Sequence, residues 1–504
     1  MSNSSPDLIR GVYLHGRPPS SLWDVHLGPS TVSSITPHTC SSPNPESYHS
    51  SPTTCPHSIL LPALCHPHIH LDKCFILSSS LDPSSYSDLA PKSGTFPEAL
   101  QLTSVAKSRF TPSDLYQRGT WLLSESLAAG VTSLRAFVEI DSTVEFKCLE
   151  TAIQLKHDYA DKCVIQICAF AQDPIFSGEN GHKNLSLLSQ ALDKYGDEIR
   201  VLGTTPYVES SVETSHRNID WAIQTALKYD LHLDFHLDYN LDETKAPMIW
   251  YVIDSLKTQK WPTISSWSSK PTTNPLKTIA VGHCTRLTLL PASELENLIN
   301  KISTLSLPLT FIGLPTSDLY MMGRSSHSHS QPQPQTPMNI PRATLSPTYL
   351  LSLTPHKNTP FPNTALSINN ISNPFTPSGS LDPLTLCSIG IGLYHAGTPE
   401  DTKTLYESVS VRARLGIGIG IDNDLFDNTT KQSTSTTLEI APNTPINFIQ
   451  YSSTNSSVAY YNDNNNTDLP QSKIKNPKPR EKKSLQEIVW DPPFWGDRKV
   501  WFQR

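Results

Sequence analysis

Apolar runs of strand length alternate with amphipathic stretches of helix length between residues 66 and about 415. This alternation predicts buried strands joined by helices. The strand-like runs cover residues 64–70, 131–140, 163–170, 201–204, 231–235, 278–282, 307–312 and 365–369, and the helical stretches include 112–129, 144–159, 215–229 and 291–305. Eight such repeats predict an α/β fold, a closed (β/α)8 barrel of the TIM type, whose chemistry lies at the carboxyl ends of the strands.

Shorter strand-like pieces separated by Pro and Ser occupy residues 10–64, and the C-terminal part holds a further strand candidate at 446–452. Residues 487–504 have the pattern of a hairpin, with Pro-Pro-Phe-Trp-Gly-Asp as its turn. We therefore predict a barrel domain over residues 65–414 and a second domain composed of residues 1–64 and 415–504. Two polar, low-complexity segments are expected to be a disordered insert, 325–342, and a region that is largely loop, 427–483.

The chain of 504 residues is long enough for one large barrel with an accessory domain. Its net charge of −7 is spread along the sequence without a basic stripe, so we expect no nucleic-acid partner. No apolar stretch reaches the roughly 18 residues that a membrane helix needs, and no signal-peptide pattern is present. The nine cysteines form no CxxC pair, which is typical of reduced thiols. These features favour a cytoplasmic protein with a small-molecule substrate and no membrane partner, and they leave a homo-oligomer open.

The segment LPALCHPHIHLDKCF ends an apolar run in a His-Ile-His motif. Because alternate residues of a strand share a face, His68 and His70 should project together beyond the end of the first barrel strand. Two imidazoles on one face make half of a divalent metal site. His236, His283 and Asn369 fall at the ends of the predicted fifth, sixth and eighth strands. The sequence thus predicts that several residues of metal-ligand type lie together at one mouth of the barrel.

Three other motifs are better explained by structure than by chemistry. His232 lies at the start of the fifth strand, away from the mouth, and is expected to be an ordinary buried histidine. His327 and His329 form a second His-x-His motif, but their Ser/Pro/Gln setting is typical of a flexible insert. The segment LGIGIGID follows a predicted helix at 402–414 instead of joining a strand to a helix, so it does not predict a dinucleotide-binding loop.

The order of these segments resembles the amidohydrolase superfamily, specifically a divergent, fungal-type member of its cytosine-deaminase-like branch. The motifs that carry the resemblance are HIHLDK, GVTSLRAFVEID, FAQD, LHLDFHLDYNLD, AVGHCTRL, IGLPTSDLYMMGR and NNISNPFTPSG. Together they extend over residues 60 to about 415. The resemblance implies a TIM barrel beside a small β-sandwich that is built from the N- and C-terminal segments.

The same resemblance implies one divalent metal ion, zinc or iron, as the cofactor. The metal ligands that it implies are His68, His70, His236 and Asn369. His283 matches a histidine that moves protons to and from the metal-activated water. In the substrate site, Gln172 and Asp318 are expected to orient polar edges of the substrate, and Phe375 to pack on its ring.

Two positions depart from the pattern of this branch. Three residues after the fifth-strand histidine, the family carries a proton-transferring glutamate, whereas this chain has Tyr239. The eighth strand of the family supplies a metal-binding aspartate, whereas this chain has Asn369, which brings no charge and accepts no proton at neutral pH. The candidates for a substitute base are His283, Asp238, Asp72, Asp242 and Glu243. We favour His283, because the family role of this histidine already involves the attacking water.

The leading prediction is a metal-dependent hydrolase that acts, by metal-activated water, on a non-peptide C–N bond of a small cyclic amide or amino-heterocycle. The candidate catalytic residues are His283, Asp238 and Tyr239. The alternative is a catalytically impaired amidohydrolase-fold protein that binds a small ligand or a protein partner. Bound metal with turnover favours the first prediction, whereas metal-free protein with tight ligand binding favours the second.

Overall fold

The computed structural model describes residues 8–39, 58–81, 86–268, 276–322, 343–354, 360–419, 437–452 and 482–503. The described chain falls into two compact units, one made of residues up to Ala63 together with those from Thr437, and the other made of residues 64–436. The predicted insert at 325–342 and most of the predicted loop at 427–483 lie outside the described residues. The chain therefore passes from the smaller unit into the larger one and back.

The strands of the described residues are β1 (Leu8–Leu14), β2 (Trp23–Leu27), β3 (Val32–Pro37), β4 (Ser58–Pro62), β5 (Leu64–His70), β6 (Val131–Glu139), β7 (Val164–Ala171), β8 (Ile199–Thr204), β9 (His232–Leu237), β10 (Ile279–His283), β11 (Leu309–Gly313), β12 (Asn363–Leu366), β13 (Asn447–Ser452) and β14 (Arg498–Phe502). The helices are α1 (Phe96–Arg109), α2 (Pro112–Ala129), α3 (Lys147–Asp158), α4 (Gly181–Tyr195), α5 (Val212–Lys228), α6 (Ile249–Thr258), α7 (Ile264–Ser268), α8 (Ala292–Thr304), α9 (Pro315–Met321), α10 (Pro347–Ser352), α11 (Leu384–Leu393), α12 (Pro399–Ser408), α13 (Val411–Gly416) and α14 (Leu485–Trp490). Among these helices, none combines the length and the apolar character needed to cross a membrane.

Strands β5 to β12 form one parallel sheet in which each strand pairs with its neighbours in sequence. The two end strands approach each other at their carboxyl ends. There the His70 N–H donates to the Asn369 carbonyl over 2.9 Å, and the Asn369 N–H donates to the His68 carbonyl over 3.2 Å. The predicted (β/α)8 barrel is confirmed as a nearly closed TIM-type barrel, and all eight predicted strands are found in the described residues.

The barrel strands are long apolar runs because both of their faces are buried, one by side chains of the interior and the other by helices. Every residue of β5, β6 and β9 is buried. Strand β5 has one more residue than β6 between the pairs His66–Leu134 and Ile69–Ala136, which is a β-bulge. Since a bulge redirects the side chains that follow it, this irregularity helps to set the direction of the end of β5.

The smaller unit contains a single six-stranded mixed sheet within the described residues, with the order β14-β13-β4-β1-β2-β3. The N- and C-terminal segments are joined where β13 pairs with β4 in antiparallel register. Its apolar core includes Val12, Val25, Leu60, Phe448 and Trp501. The chain ends thus meet in one small β-domain, and the predicted strand at 446–452 is confirmed as β13.

The predicted hairpin at 487–504 is wrong in its first arm. Residues 485–490 form helix α14, and β14 pairs with β13 instead of with a preceding strand. The Ser484 hydroxyl accepts a hydrogen bond from the Glu487 N–H over 3.3 Å, and the Glu487 carboxylate accepts one from the Lys483 N–H over 2.7 Å. This Ser-x-x-Glu pattern is a helix N-cap signature, which outweighs the strand-like apolar residues that follow it.

The cysteines of the described residues are buried and unpaired. Burial raises the pKa of the Cys65 and Cys74 thiols to about 12. A thiol with so high a pKa carries almost no thiolate at neutral pH and is a poor nucleophile and a poor metal ligand. These cysteines therefore act as small apolar residues of the core.

Candidate metal centre and active-site cleft

Three histidines from two strands converge at the mouth of the barrel. The Nε2 atom of His236 lies 3.1 Å from Nε2 of His68 and 3.0 Å from Nε2 of His70. One ligand atom from each of the three residues lies within 4.8 Å of the others. Nitrogen ligands at the usual zinc distance stand about 3.3 Å apart in a tetrahedral arrangement. The spacing of these Nε2 atoms therefore fits one shared divalent ion.

The charge state of the three imidazoles also fits a metal ion. Burial, aided by neighbouring cationic groups, lowers the pKa of His68, His70 and His236 well below the ordinary histidine value. Neutral imidazole has the free lone pair that metal binding requires. Phe137 packs 4.2 Å from the ring centre of His68 and Phe170 packs 4.4 Å from that of His236, which limits rotation of both rings.

Asn369 lies at the seam between β5 and β12, beside these histidines. Its side-chain NH2 donates to Ser317 Oγ over 2.8 Å, whereas its Oδ1 is buried and has no hydrogen-bond partner among the described residues. Its backbone is left-handed, with a φ of 65°, a conformation that is uncommon outside glycine and recurs at functional sites. A buried, unpartnered carbonyl oxygen fits the role of a further metal or water ligand.

His283 ends β10 and lines the same cleft. Its Nδ1 lies 2.9 Å from Asp318 Oδ1, and Tyr239 stacks on its imidazole with ring centres 3.8 Å apart. The Tyr239 hydroxyl donates to the Ser317 carbonyl over 3.3 Å. Burial raises the pKa of Tyr239 well above its ordinary value, so the phenol stays protonated. The structure thus favours a packing role for Tyr239 over the catalytic role suggested by its position.

Asp318 was predicted to contact the substrate, but it is fully buried and is not among the residues that line the cleft. Its Oδ2 accepts hydrogen bonds from the Thr344 hydroxyl over 2.7 Å and from the Leu314 N–H over 3.3 Å. Burial raises the pKa of Asp318, and the hydrogen bond with His283 opposes this shift. The carboxylate is therefore directed at protein groups, because the short helix α9 turns this residue inward.

Asp238, a candidate base, is engaged by the helix that follows it. Its two carboxylate oxygens accept hydrogen bonds from the Met248 N–H over 2.7 Å and from the Ile249 N–H over 3.1 Å, at the beginning of α6. A carboxylate is stabilised there by the helix dipole. Burial raises the pKa of Asp238 to about 6, but the residue does not line the cleft. This geometry favours a helix-capping role.

The cleft encloses about 310 Å³, including space that is open to solvent. Its lining comprises His70, Lys73, Phe96, Gln172, Tyr207, His236, Tyr239, His283, Asn369, Asn370 and Phe375. Phe96 contacts Tyr207, Tyr239 and Phe375 through edge-to-face ring pairs, which makes one wall aromatic. Within the described part of the lining, no residue is Asp or Glu. Gln172 and Phe375, two of the residues expected in the substrate site, therefore both line this cleft.

Sequence reasoning did not identify Lys73 as a cleft residue, although it directly follows the histidine motif. Its ammonium group donates to Glu139 Oε1 over 2.6 Å and to Gln172 Oε1 over 3.0 Å. Although burial alone would raise it, the charges of Lys107 and Lys73 lower the pKa of Glu139 to about 2. Glu139 thus remains an anion that holds Lys73 in place. The bond from Lys73 also fixes the orientation of the Gln172 amide.

A second polar pair that sequence reasoning missed lies beneath the histidines. Arg135 donates to Asp234 Oδ2 and to Gln166 Oε1, each over 2.7 Å. The other carboxylate oxygen of Asp234 lies 4.0 Å from His68 Nδ1. A carboxylate behind a metal-ligating histidine commonly orients the ring. The motif LHLDFH contains this aspartate two residues before His236, but only the fold shows that it lies beneath His68.

No protein-family model and no curated protein sequence matches this chain. Several solved structures do match. The 5-methylcytosine deaminase of Klebsiella pneumoniae, liganded with 5-fluorocytosine, is 17% identical with a TM-score of 0.61 over 81% of this chain and 86% of that one. The N-isopropylammelide isopropylaminohydrolase of Burkholderia multivorans is 16% identical with a TM-score of 0.62 over 97% of this chain and 94% of that one. An adenosine deaminase of Xanthomonas campestris with bound zinc is 12% identical with a TM-score of 0.52 over 98% and 91%, respectively.

At these identities the similarity shows a shared fold. The chain has the barrel fold of these hydrolytic enzymes, in agreement with the fold that its sequence motifs imply. The likeness extends over more than four fifths of both chains in each pair.

Proposed function

We propose that this protein is a metal-dependent hydrolase of the amidohydrolase superfamily, and a divergent member of its cytosine-deaminase-like branch. It acts on a non-peptide C–N bond of a small cyclic amide or amino-heterocycle. The observation that carries this proposal is the convergence of three histidine rings at the edge of a cleft, where Nε2 of His236 lies 3.1 Å from that of His68 and 3.0 Å from that of His70. Sites of this kind bind zinc or iron and keep a position open for water.

His68, His70 and His236 would hold a divalent ion, with Asn369 as a further ligand, and that ion would supply Lewis acidity to a water molecule and to the group that is attacked. The protein supplies the rest of the chemistry. His283 accepts the proton released when water adds to the ring carbon, and returns it to the nitrogen that leaves. Gln172 orients a polar edge of the ring, and Phe375 packs on its face.

The test is a screen of the purified chain, prepared without chelators, against cyclic amides and amino-heterocycles. We expect release of ammonia or of a ring-opened product from at least one compound, and we expect chelation to abolish it, because the proposed reaction depends on the ion. Zinc or iron added back should restore the activity. Metal-loaded protein that hydrolyses none of the compounds would count against the proposal.

One observation favours a second candidate function. Among the described residues that line the cleft, no carboxylate is present to accept a proton, and general acid–base help is worth about 10²–10⁴-fold in rate. The cleft of an inactive barrel would bind a planar ligand without turning it over. Calorimetric binding of a heterocycle by the metal-free chain, with no turnover after metal is added, would support this binding function in place of hydrolysis.

The two departures from the deaminase pattern predict negligible deamination of cytosine by the native chain, because Tyr239 and Asn369 bring no carboxylate to the cleft. The double change Tyr239→Glu with Asn369→Asp should tighten metal binding and raise basal hydrolysis of amino-heterocycles by about tenfold or more. Ammonia release and bound metal are the measurements.

Tyr207→Glu is the matched control, because it places a carboxylate at another tyrosine of the same cleft. It should leave cytosine turnover negligible. Robust turnover of cytosine by the native chain would contradict this prediction, because it would show that deamination does not need a carboxylate at either position.

A further inference from the structure

Asp318 is held by hydrogen bonds from three parts of the barrel. Its Oδ1 lies 2.9 Å from Nδ1 of His283, and its Oδ2 accepts from the Thr344 hydroxyl and the Leu314 N–H. The side chain is fully buried. An aspartate held in this way has little freedom to turn toward the cleft. It can therefore affect the cleft only through the residues that it contacts.

The bonds to Oδ2 indicate which partner carries the shared proton. Both the Thr344 hydroxyl and the Leu314 N–H donate to this oxygen, and accepting hydrogen bonds favours the ionised carboxylate. An ionised carboxylate can only accept. The proton between Asp318 and His283 then belongs to Nδ1 of the imidazole, and in the neutral ring Nε2 is the unprotonated nitrogen.

Other contacts keep the His283 ring in one orientation. Tyr239 stacks on the imidazole at 3.8 Å with an angle of 28° between the ring planes. The backbone of His283 is left-handed, with a φ of 68°, and the N–H of Cys284 is bonded to the Leu237 carbonyl over 2.9 Å. With Nδ1 directed at Asp318, the opposite edge of the ring, which carries Nε2, is the one available to the cleft.

We propose that Asp318 is a positioning residue that holds His283 as the Nδ1–H tautomer, with Nε2 unprotonated and directed to the cleft. This makes a histidine–aspartate pair the proton acceptor in a cleft whose described lining has no carboxylate. The role of His283 as proton acceptor rests on the proposed hydrolase function, whereas the position of the proton on its ring does not. The principle is that of the aspartate in a serine-protease triad, where exchange for asparagine yields the wrong tautomer.

The tautomer is tested by NMR on protein labelled with ¹⁵N at its histidine rings, with zinc bound and after chelation. We expect one ring with a protonated Nδ1 and a downfield proton, because this proton is hydrogen-bonded to a carboxylate. The signal should be absent in His283→Gln, which assigns it, and should shift or vanish in Asp318→Asn. A His283 ring protonated at Nε2 in the wild-type chain would overturn the proposal.

Two control variants separate positioning from general loss of structure. Asp220→Asn makes the same chemical change at an aspartate that accepts bonds from the Tyr251 and Ser255 hydroxyls and does not line the cleft. Thr344→Val removes one donor to Asp318 and leaves its contact with His283 in place. Both variants should keep the downfield signal. Its loss in Asp220→Asn would assign the effect to general destabilisation and would contradict the proposal.

Kinetics then separate this inference from the proposed function. With any substrate found in the screen, Asp318→Asn should lower kcat by about 10²–10⁴-fold with KM little changed, while bound metal stays at the wild-type level. An equal loss of metal would mean that Asp318 acts on the ion site instead of on His283. If no substrate is turned over, the hydrolase proposal fails, but the NMR result still decides the role of Asp318.

Discussion

His236→Ala is expected to abolish stoichiometric metal binding while the barrel stays folded. The Nε2 atom of His236 is the one that lies close to both other ring nitrogens, at 3.0 and 3.1 Å. Loss of one of three such ligands costs on the order of 3 kcal/mol of binding free energy, about a hundredfold or more in affinity. Elemental analysis should fall from about one ion per chain to background, with little change in the circular dichroism spectrum.

His232→Asn provides the control for this prediction. His232 is a buried histidine at the other end of β9, where its Nδ1 accepts a hydrogen bond from the Thr278 N–H over 3.0 Å, and an asparagine oxygen can take over that role. This variant should keep its metal. If wild-type protein purified without chelators carries no stoichiometric ion, the metal centre itself is refuted, and the hydrolase proposal falls with it.

Lys107→Met is expected to produce the largest loss of stability among the variants considered. The Lys107 ammonium is buried and lies 2.5–2.9 Å from the three carboxylates of Glu139, Asp141 and Asp173. Removal of one partner from a buried ion pair costs about 3–5 kcal/mol, because the remaining charges stay desolvated. The free energy of unfolding, measured by urea titration at neutral pH, should fall by about that amount.

The pH dependence of this loss follows from Glu139. In the wild-type chain its pKa is held at about 2, below the ordinary value of about 4.3 for glutamate. Its stabilising contribution is therefore complete above about pH 4.3 and is lost as the pH falls toward 2. Without Lys107 the carboxylates become easier to protonate, so the difference between wild type and variant should be largest at neutral pH and shrink toward pH 4.

Lys156→Met is the matched control for the lysine change. Lys156 pairs with Glu198 at 2.8 Å, but both side chains are partly exposed, and such pairs contribute about 0–1 kcal/mol. The control should therefore cost little at any pH. A loss in Lys107→Met that is no larger than in the control, or that is the same at pH 7 and pH 4, would contradict a stabilising role for the buried contacts of Lys107 with Glu139 and Asp141.

The local pattern of the chain was sufficient to predict the barrel. Its strands are largely apolar runs, and helices α2, α5 and α12 each begin with a side chain that caps the first turn. The prediction of residues 112–129 as a helix agrees with α2, where the Thr111 hydroxyl accepts from the Asp114 N–H and Gly130 ends the helix with a φ of 99°. These signals are local, so they are visible in the sequence.

The positions of the histidines could also be predicted from local sequence signals. The two-residue spacing of His68 and His70 and the position of His236 at a strand end place their side chains at the mouth once the strands are parallel. That inference needs only the direction of alternate side chains and the common edge of a parallel sheet. The same inference cannot predict that Asp234 lies beside His68, because these two residues belong to strands that are far apart in sequence.

Tertiary structure alone decided the roles of the acidic residues. Asp238 and Asp318 lie near strand ends in the sequence, but the first caps α6 and the second bonds His283, so neither lines the cleft. Lys107 meets its carboxylates only because the fold brings α1 close to residues at and just after the ends of β6 and β7. The sequence by itself determined the barrel and the histidines at its mouth, because both depend on local periodicity. The packing of elements that are distant in the chain decided whether a carboxylate caps a helix, pairs with a lysine or bonds a histidine. No local sequence pattern contains that information.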